Sequence, residues 1–327
     1  MHCELIVPGL LSSALSAGGR YAALELLLAR GRREAADSGS LEQWLHDAFG
    51  QPGESLAAGA LTLAAHGGNP GADWWARADP VHLRLLRDRA VVVPAEALEI
   101  TRAEADELAA GLNRHFADTV EFHTLDPRRW AARFSAEKTF LGDPAIESAG
   151  RDVIAAGGKD AFLTEIQMLL HSHPVNEARE ARGEPAVNSL WFWGAGRLPA
   201  EAQGPWRSVA AADPVVRGLA QLARMRPEAL PPTAAAWLER LPGEGRHLAV
   251  LDALRAPLVL GQQAEYDEAL EALERDWFAP LLGRLRAEGI GMVTLRVPDA
   301  APGVGFETVR GDLRRFWRRS RAIAHYA

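Results

Sequence analysis

The sequence is poor in cysteine and has no excess of positive charge. Its 327 residues include a single cysteine, Cys3, which excludes an intramolecular disulfide and a cysteine-rich zinc site. The formal net charge of −7 argues against broad nucleic-acid binding, because a phosphate backbone requires a basic face. We therefore expect no nucleic-acid partner and a reducing, cytoplasmic location.

Long apolar runs and several well-known motifs are also missing. No uninterrupted apolar run reaches membrane-spanning length, so we expect no membrane partner. The first residues, MHCELIVPGLL, contain Glu4 and lack a basic stretch, which is not typical of a signal peptide. A Walker-type phosphate loop, a GxSxG nucleophile elbow and an internal repeat are absent from the sequence.

Short apolar runs alternate with amphipathic segments, which predicts an α/β fold with a mainly parallel sheet. The predicted strands are 4–7, 91–93, 190–193, 248–251 and 292–297. The predicted helices are about 21–30, 101–116, 161–170, 215–225 and 264–288, followed by a basic helix that closes the chain. Pro280 must kink or split the helix 264–288. Thr101 and Glu104 have the spacing of a capping box. Asp-Pro pairs predict turns or element boundaries at 79–80, 126–127, 143–144 and 213–214.

The segment 173–196, HPVNEAREARGEPAVNSLWFWGAG, is the most informative part of the sequence. It sets asparagines and arginines among prolines, glycines and apolar residues, a mixture that core filling does not explain. Arginine forks match phosphate or carboxylate oxygens in pairs, and asparagine amides orient small polar ligands. We therefore predict that Asn176, Arg179, Arg182 and Asn188 line a ligand site. The alternative is that they brace a loop rich in proline and glycine.

Histidines give weaker signals. His171 and His173 lie two residues apart, so on a helix they point to different sides and make a poor metal pair. A structural or capping role is the favoured interpretation. His66 lies in a glycine-rich loop, where the backbone can approach a ligand closely, although a turn histidine without a ligand is the commoner case.

A further anion site depends on the conformation of 82–87. If this segment is extended, His82 and Arg84 share a face and can act together with Arg87. If the segment is helical, the group separates.

The end of the sequence is strongly basic. Residues 308–327 carry six arginines: Arg310, Arg314, Arg315, Arg318, Arg319 and Arg321. Arg314 and Arg318 share a face if the segment is helical, and Phe316 and Trp317 indicate that one side packs down. A solvated face is the common outcome for such a cluster, and a surface that binds a protein partner is the alternative.

The segment 173–196 resembles a segment of the archaeal-type, cofactor-independent phosphoglycerate mutases, in which the pattern is roughly HP.N..R...G..PAN...LRGAG. Weaker similarity extends over 78–93, 213–225 and 266–282. A closer resemblance is to a bacterial group described either as phosphoglycerate mutase or as "regulatory protein, RpfE type", and the run DLRRFWRRSR at 312–321 also looks like that group. The resemblance implies an alkaline-phosphatase-like domain made from 1–93 and 206–327, with an inserted α/β substrate domain at 94–205. It also implies that Trp193 occupies the position of an arginine in the family.

The family needs two metal ions, and the residues that should hold them are largely absent. The resemblance implies a metal-binding aspartate after the first strand, where this sequence reads Val7-Pro8-Gly9-Leu10. Asp252 and Asp299 lie near two later ligand positions, but the histidines expected after them are missing. We therefore expect no metal or other cofactor. If the protein is active, manganese or zinc would be held by Asp252, Asp299, His66 and His171.

Three functions follow from these observations. The first is a phosphoglycerate-mutase-like protein that has lost two-metal phosphotransfer and binds a small phosphorylated or carboxylated metabolite or acts in regulation, with Trp193 and Arg84 joining the ligand site. The second is an active metal-dependent mutase with a rearranged site. The third is a regulatory or scaffold protein that binds a partner through its basic C-terminal helix.

Overall fold

The two ends of the chain build one sheet, and the middle of the chain builds another. The computed structural model describes residues 1–15, 18–36, 39–51, 55–85, 90–140, 143–149, 160–299 and 303–326. The chain divides into two compact units: unit 1 is Met1–Gln51 with Glu201–Ala327, and unit 2 is Pro52–Ala200.

The described residues form twelve strands. They are β1 His2–Ile6, β2 Arg32–Ala36, β3 Trp74–Leu85, β4 Ala90–Val93, β5 Val120–Asp126, β6 Arg129–Phe134, β7 Ser189–Gly196, β8 Trp206–Ala211, β9 Arg226–Ala229, β10 Arg246–Val250, β11 Met292–Val297 and β12 Gly303–Val309.

The helices are α1 Ala22–Arg30, α2 Leu41–Ala48, α3 Ala58–Ala65, α4 Arg102–Phe116, α5 Ala145–Ser148, α6 Ala161–His171, α7 Pro174–Ala181, α8 Pro214–Leu222, α9 Ala234–Arg240, α10 Arg255–Leu260, α11 Gln263–Leu273 and α12 Ala279–Arg286. Short 3₁₀ turns lie at Ala95–Ala97, Arg310–Arg314 and Ile323–His325. Among the described helices, none is long and apolar enough to cross a membrane.

Unit 1 contains a sheet with the order β2-β12-β11-β1-β10-β8-β9. The strands from β11 to β9 are parallel, and β12 and β2 continue the sheet in antiparallel pairing. Cys3 and Leu5 of β1 point to a face that also carries Leu295, and the apolar sides of α1, α11 and α12 pack in the same core. The predicted α/β fold with a mainly parallel sheet is confirmed.

Unit 2 contains an antiparallel sheet with the order β4-β3-β6-β5, and β7 also pairs with β3. Helices α4 and α6 cover one face, through a core that includes Leu108, Ile166 and Phe192. The long strand β3 pairs with three other strands of this unit. It therefore lies in unit 2, and the first unit boundary falls after Gln51, earlier than the position 93/94 that the resemblance implied; the second falls after Ala200 instead of at 205/206.

The turn predicted at Asp79-Pro80 is wrong, because both residues lie inside β3. Pro80 falls between the part of β3 that pairs with β6, Trp74 to Arg77, and the part that pairs with β4, His82 to Leu85. A proline is tolerated in a strand where one edge lacks a partner. At 126–127 and 213–214 the predicted boundaries are confirmed, at a strand end and a helix start.

The prediction of a basic C-terminal helix is also wrong. The described residues form the 3₁₀ turn Arg310–Arg314 and then continue without a helix to residue 322. Arg315 and Arg318 donate hydrogen bonds to the carbonyl oxygens of Arg30 and Gly31, at 3.5 and 3.0 Å. These long-range bonds hold the segment against the end of α1 in place of helical bonds.

Candidate functional site

The segment 173–196 forms a helix, a turn and a strand of unit 2. His173 caps α7, and its Nδ1 accepts a hydrogen bond from the backbone N–H of Val175 at 3.3 Å. Pro174 occupies the first turn of the helix, where the absence of an N–H costs nothing. The chain then turns through Gly183, with φ of +77°, and enters β7 at Ser189.

Asn176 is buried and bonded to the backbone on two sides. Its amide nitrogen donates to the carbonyl oxygens of Leu170 and Val187, both at 2.8 Å. Its amide oxygen accepts from the N–H of Val187, also at 2.8 Å. The side chain therefore ties the end of α6 to Val187, two residues before β7.

Arg179 is fully buried and bound to three elements. Its Nε donates to the carbonyl oxygen of Pro185 at 2.9 Å, and its Nη1 contacts Glu104 at 3.0 Å. Its Nη2 donates to the carbonyl oxygen of Leu98. Arg182 is half exposed and reaches Glu104 and Glu184, both at 2.7 Å.

Glu104 joins these arginines to the capping box of α4, which the structure confirms with Thr101 as the cap. Burial raises the pKa of Glu104, but the hydrogen bonds from Thr101, the charge of Arg179 and the hydrogen bond from Arg182 outweigh it, so the net pKa is lowered. Glu104 therefore stays ionised between the two guanidinium groups.

The remaining candidates lie along β3 and β7. The Asn188 side chain exchanges two hydrogen bonds with the backbone of Leu83, at 2.7 and 3.0 Å. Arg84 is exposed, and residues 82–85 of β3 are extended, as the anion-site prediction required for His82 and Arg84. The Nδ1 of His82 bonds to the carbonyl oxygen of Ala186 at 2.8 Å, and Arg87 lies outside the described residues.

Trp193 belongs to a buried polar cluster that the sequence reasoning missed. Arg77 donates from Nε to Asp79 Oδ1 at 3.0 Å, and its Nη1 lies 3.3 Å from the hydroxyl oxygen of Thr62. The Arg77 guanidinium carbon lies 5.3 Å from the centre of the Trp193 ring. The indole Nε1–H of Trp193 donates to Asp79 Oδ2.

Burial raises the pKa of the Asp79 carboxyl, and the charge of Arg77 and the bond from Trp193 oppose the rise. An arginine and an aspartate at alternate positions of an apolar strand were the available signal. Because a turn was predicted at Asp79-Pro80, Arg77 and Asp79 were not assigned to one strand.

A cavity of about 560 Å³ lies elsewhere in unit 2. Phe116, Phe134 and Phe162 supply its apolar wall, and Lys138 lies with its Nζ 3.8 Å from the centre of the Phe162 ring. The volume suits a small molecule. The six predicted ligand residues do not line it.

The carboxyl ends of β1, β10 and β11 meet at one edge of the unit 1 sheet, because these strands are parallel. After β1 the chain turns through Gly9, with φ of +83°. Asp299 follows β11, and its Oδ2 accepts the backbone N–H of Gly9 at 2.7 Å. The Tyr266 hydroxyl donates to the carbonyl oxygen of Gly9 at 2.9 Å. Asp252 follows β10 at the same edge.

The four residues named for a rearranged metal site are divided between the units. Asp252 and Asp299 lie in unit 1, and His66 and His171 lie in unit 2. His66 follows α3 and its Nδ1 bonds to the carbonyl oxygen of Thr62 at 2.9 Å, while His171 is the exposed last residue of α6. Across the described ranges, no group of three or more His, Cys, Asp or Glu side chains is placed to hold a metal ion. The described residues therefore do not fit the two-metal centre that the resemblance implies.

Comparisons with known proteins found a sequence match and matches to solved structures. No family model matches the chain. The chain is 30% identical over 171 residues to the 2,3-bisphosphoglycerate-independent phosphoglycerate mutase of Aeropyrum pernix. This match includes 46% of the chain and 39% of that enzyme, so the chain spans well under half of the relative's length.

Two solved structures are similar over most of the chain. The PH0037 protein from Pyrococcus horikoshii has a TM-score of 0.56 at 14% identity, covering 94% of this chain and 87% of that one, which shows a shared fold. The cofactor-independent phosphoglycerate mutase from Thermoplasma acidophilum has a TM-score of 0.41 at 18% identity, covering 95% and 90%.

Proposed function

We propose that the chain is a phosphoglycerate-mutase-like protein that does not catalyse two-metal phosphotransfer and acts in the cytoplasm by binding or regulation. The observation that carries the proposal is the bond between Asp299 and the backbone N–H of Gly9. The sequence match to the Aeropyrum pernix mutase supports the family relationship. The further similarity to the RpfE-type regulatory group is part of this proposal.

The chemistry of the sheet edge explains the loss. Two-metal phosphotransfer clamps the attacking and leaving oxygens between ions about 4 Å apart, which requires several carboxylate and imidazole ligands. The turn after β1 supplies Val7, Pro8 and Gly9, none of which has a ligand side chain. Asp299 is held by the backbone of this turn. Without the ions, a hydroxyl nucleophile at this edge would lack activation by metal coordination.

The experiment uses the full chain, purified without a histidine tag. Manganese and zinc binding are measured by isothermal titration calorimetry and elemental analysis, and mutase turnover is measured with 3-phosphoglycerate. We expect no stoichiometric metal binding and no turnover above that of the metal alone. Stoichiometric binding with turnover that Asp299→Asn abolishes, but the exposed control Asp118→Asn keeps, would overturn the proposal.

A second candidate is an active mutase with a rearranged metal site. Asp252 and Asp299 follow β10 and β11, the two parallel strands that flank β1, which is where this candidate places its carboxylates. This candidate also names His66 and His171, which belong to unit 2. The titration above distinguishes the candidates, and Asp252→Asn should then lower the number of bound ions.

We also propose that the protein binds a small phosphorylated or carboxylated metabolite near the segment 173–196. Asn176 and Arg179 would shape this site, because their polar atoms bind the backbone and Glu104. Arg182 is half exposed and Arg84 is exposed, so these guanidinium groups are the ones that can reach a ligand.

A further inference from the structure

Two basic segments from opposite ends of the sequence meet on unit 1. The first is Arg30 to Arg33, and the second is Arg314 to Arg319. Arg315 and Arg318 connect the segments by donating to the carbonyl oxygens of Arg30 and Gly31. These carbonyls belong to the end of α1, where cationic groups are favoured by the helix dipole.

The anchoring leaves two aromatic side chains in solvent. Phe316 is 77% exposed and Trp317 is 67% exposed, and with Met168 they are the exposed large hydrophobic residues of the described chain. Their ring centroids are 5.3 Å apart and nearly perpendicular. Two adjacent exposed aromatic rings are unusual on a protein surface and are typical of an interaction site. The prediction that Phe316 and Trp317 mark a side that packs down is wrong, because both rings are exposed.

Unbalanced positive charge surrounds the rings. Arg315 pairs with Asp312 at 2.9 Å, and Arg32 pairs with Glu34 and Glu307 at 2.6 and 2.7 Å. Within the described ranges, Arg314 and Arg319 have no carboxylate partner, and both are exposed. We call Arg314, Phe316, Trp317 and Arg319 the arginine–aromatic surface.

We infer that the arginine–aromatic surface binds an acidic peptide segment of another protein. Guanidinium forks pair with carboxylates through two parallel hydrogen bonds, and exposed tryptophan and arginine are the residues that dominate protein interfaces. The surface therefore fits a segment that places an apolar side chain between two carboxylates.

The net charge of the whole chain favours a short acidic peptide over a larger polyanion as the partner. A nucleic acid or an anionic bilayer extends far beyond the surface and would face the rest of a molecule with net charge −7. A short acidic peptide contacts the basic surface alone. The inference does not depend on whether the sheet edge of unit 1 is catalytic.

The test measures binding of a short fluorescein-labelled peptide of repeating Glu-Glu-Leu by fluorescence anisotropy. The same sequence with Gln in place of Glu is the control peptide. The variants are Phe316→Ala with Trp317→Ala, and Arg314→Glu with Arg319→Glu. The matched control combines Met168→Ala, an exposed apolar residue of unit 2, with Arg240→Glu, an exposed arginine of α9.

We expect saturable binding of the Glu peptide that weakens with added NaCl, and at least about tenfold weaker binding by each surface variant. The matched control and circular dichroism should be unchanged. Equal loss in the matched control, or no binding of the Glu peptide by the native chain, would refute the inference. Tighter binding to phosphatidylserine vesicles or to single-stranded RNA, or a dimer that Trp317→Ala dissociates in sedimentation, would assign the surface to a different partner and would also refute it.

Discussion

The indole Nε1–H of Trp193 donates a hydrogen bond to Oδ2 of Asp79 at 2.7 Å, joining β7 to β3 inside unit 2. Arg77 completes the group by bonding Oδ1 of the same carboxylate. Trp193 is 6% exposed, and its ring lies beside the guanidinium. The indole N–H of Trp193 thus stabilises the buried ion pair of Arg77 and Asp79, because the oxygens of a buried carboxylate need hydrogen-bond donors.

Trp193→Phe keeps an aromatic ring and removes the donor to Asp79. We expect a loss of about 1–3 kcal/mol in the free energy of unfolding, because one buried carboxylate oxygen loses its partner. Urea unfolding followed by far-ultraviolet circular dichroism measures the change. Trp191→Phe on the same strand is the control, since the Trp191 indole bonds to Asp143 at an exposed position. An equal loss in both variants would show that the hydrogen bond to Asp79 contributes no more to stability than the exposed bond of Trp191.

Glu4 should make folding sensitive to acid. Burial of this carboxyl raises its pKa, but the hydrogen bond and charge of Arg296, with Trp206 and Arg246, outweigh burial and lower the net pKa. A group with a lowered folded pKa stabilises the protein above its unfolded pKa of about 4.3, and this stability disappears as pH falls through the folded pKa.

The measurement is urea unfolding between neutral pH and pH about 3. Glu4→Gln should be less stable than the native chain at neutral pH by about 3 kcal/mol and should lose less stability on acidification. Glu239→Gln, at an exposed position of α9, is the control and should follow the native curve. A Glu4→Gln curve parallel to the native one would contradict the assignment.

Asn176→Ala should destabilise unit 2 strongly. The substitution leaves two carbonyl oxygens and one N–H without the amide partner, at a site that is 1% exposed. We expect a loss of about 3 kcal/mol by urea unfolding. Asn69→Ala, at an exposed position where the side chain accepts a hydrogen bond from the N–H of Gly71, should cost much less, about 0.5–1 kcal/mol. A small effect at Asn176 would favour a role toward a ligand over a role in the fold.

The proposed metabolite site predicts that 3-phosphoglycerate binds through Arg182 and Arg84. Arg182→Gln and Arg84→Gln should each weaken binding about tenfold, because a charged hydrogen bond to the ligand is lost. Calorimetry measures the affinity, and Arg102→Gln, an exposed arginine paired with Asp106 on α4, is the control. Affinity that is unchanged in both variants would place the metabolite elsewhere or exclude it.

Local sequence patterns correctly predicted the features that depend on contacts between residues close in the sequence. The capping box of Thr101 and Glu104 has the predicted geometry. The helix containing Pro280 is split, with a π turn at Glu274–Phe278 before α12. The alternation of strands and helices correctly predicted the parallel sheet of unit 1.

Long-range pairing produced the features that the sequence did not reveal. Asp79-Pro80 has the local preference of a turn, but strands distant in the chain extend it into β3. The spacing of Arg314 and Arg318 favours a helix, but hydrogen bonds from Arg315 and Arg318 to the end of α1 hold the segment in another conformation. The predicted ligand residues of the segment 173–196 are bonded to residues distant in the sequence, such as Glu104 and Leu98. No local sequence pattern specifies these contacts.

The position of β1 in its sheet has a consequence for synthesis on the ribosome. Its two neighbours, β10 and β11, begin at Arg246 and Met292, whereas the whole of unit 2 is translated between them and β1. Unit 2 can therefore finish folding on the growing chain while β1 still has both edges unpaired. An emerging apolar strand in that state is exposed to aggregation, so the newly made N-terminal segment is the part of this protein on which a chaperone would act.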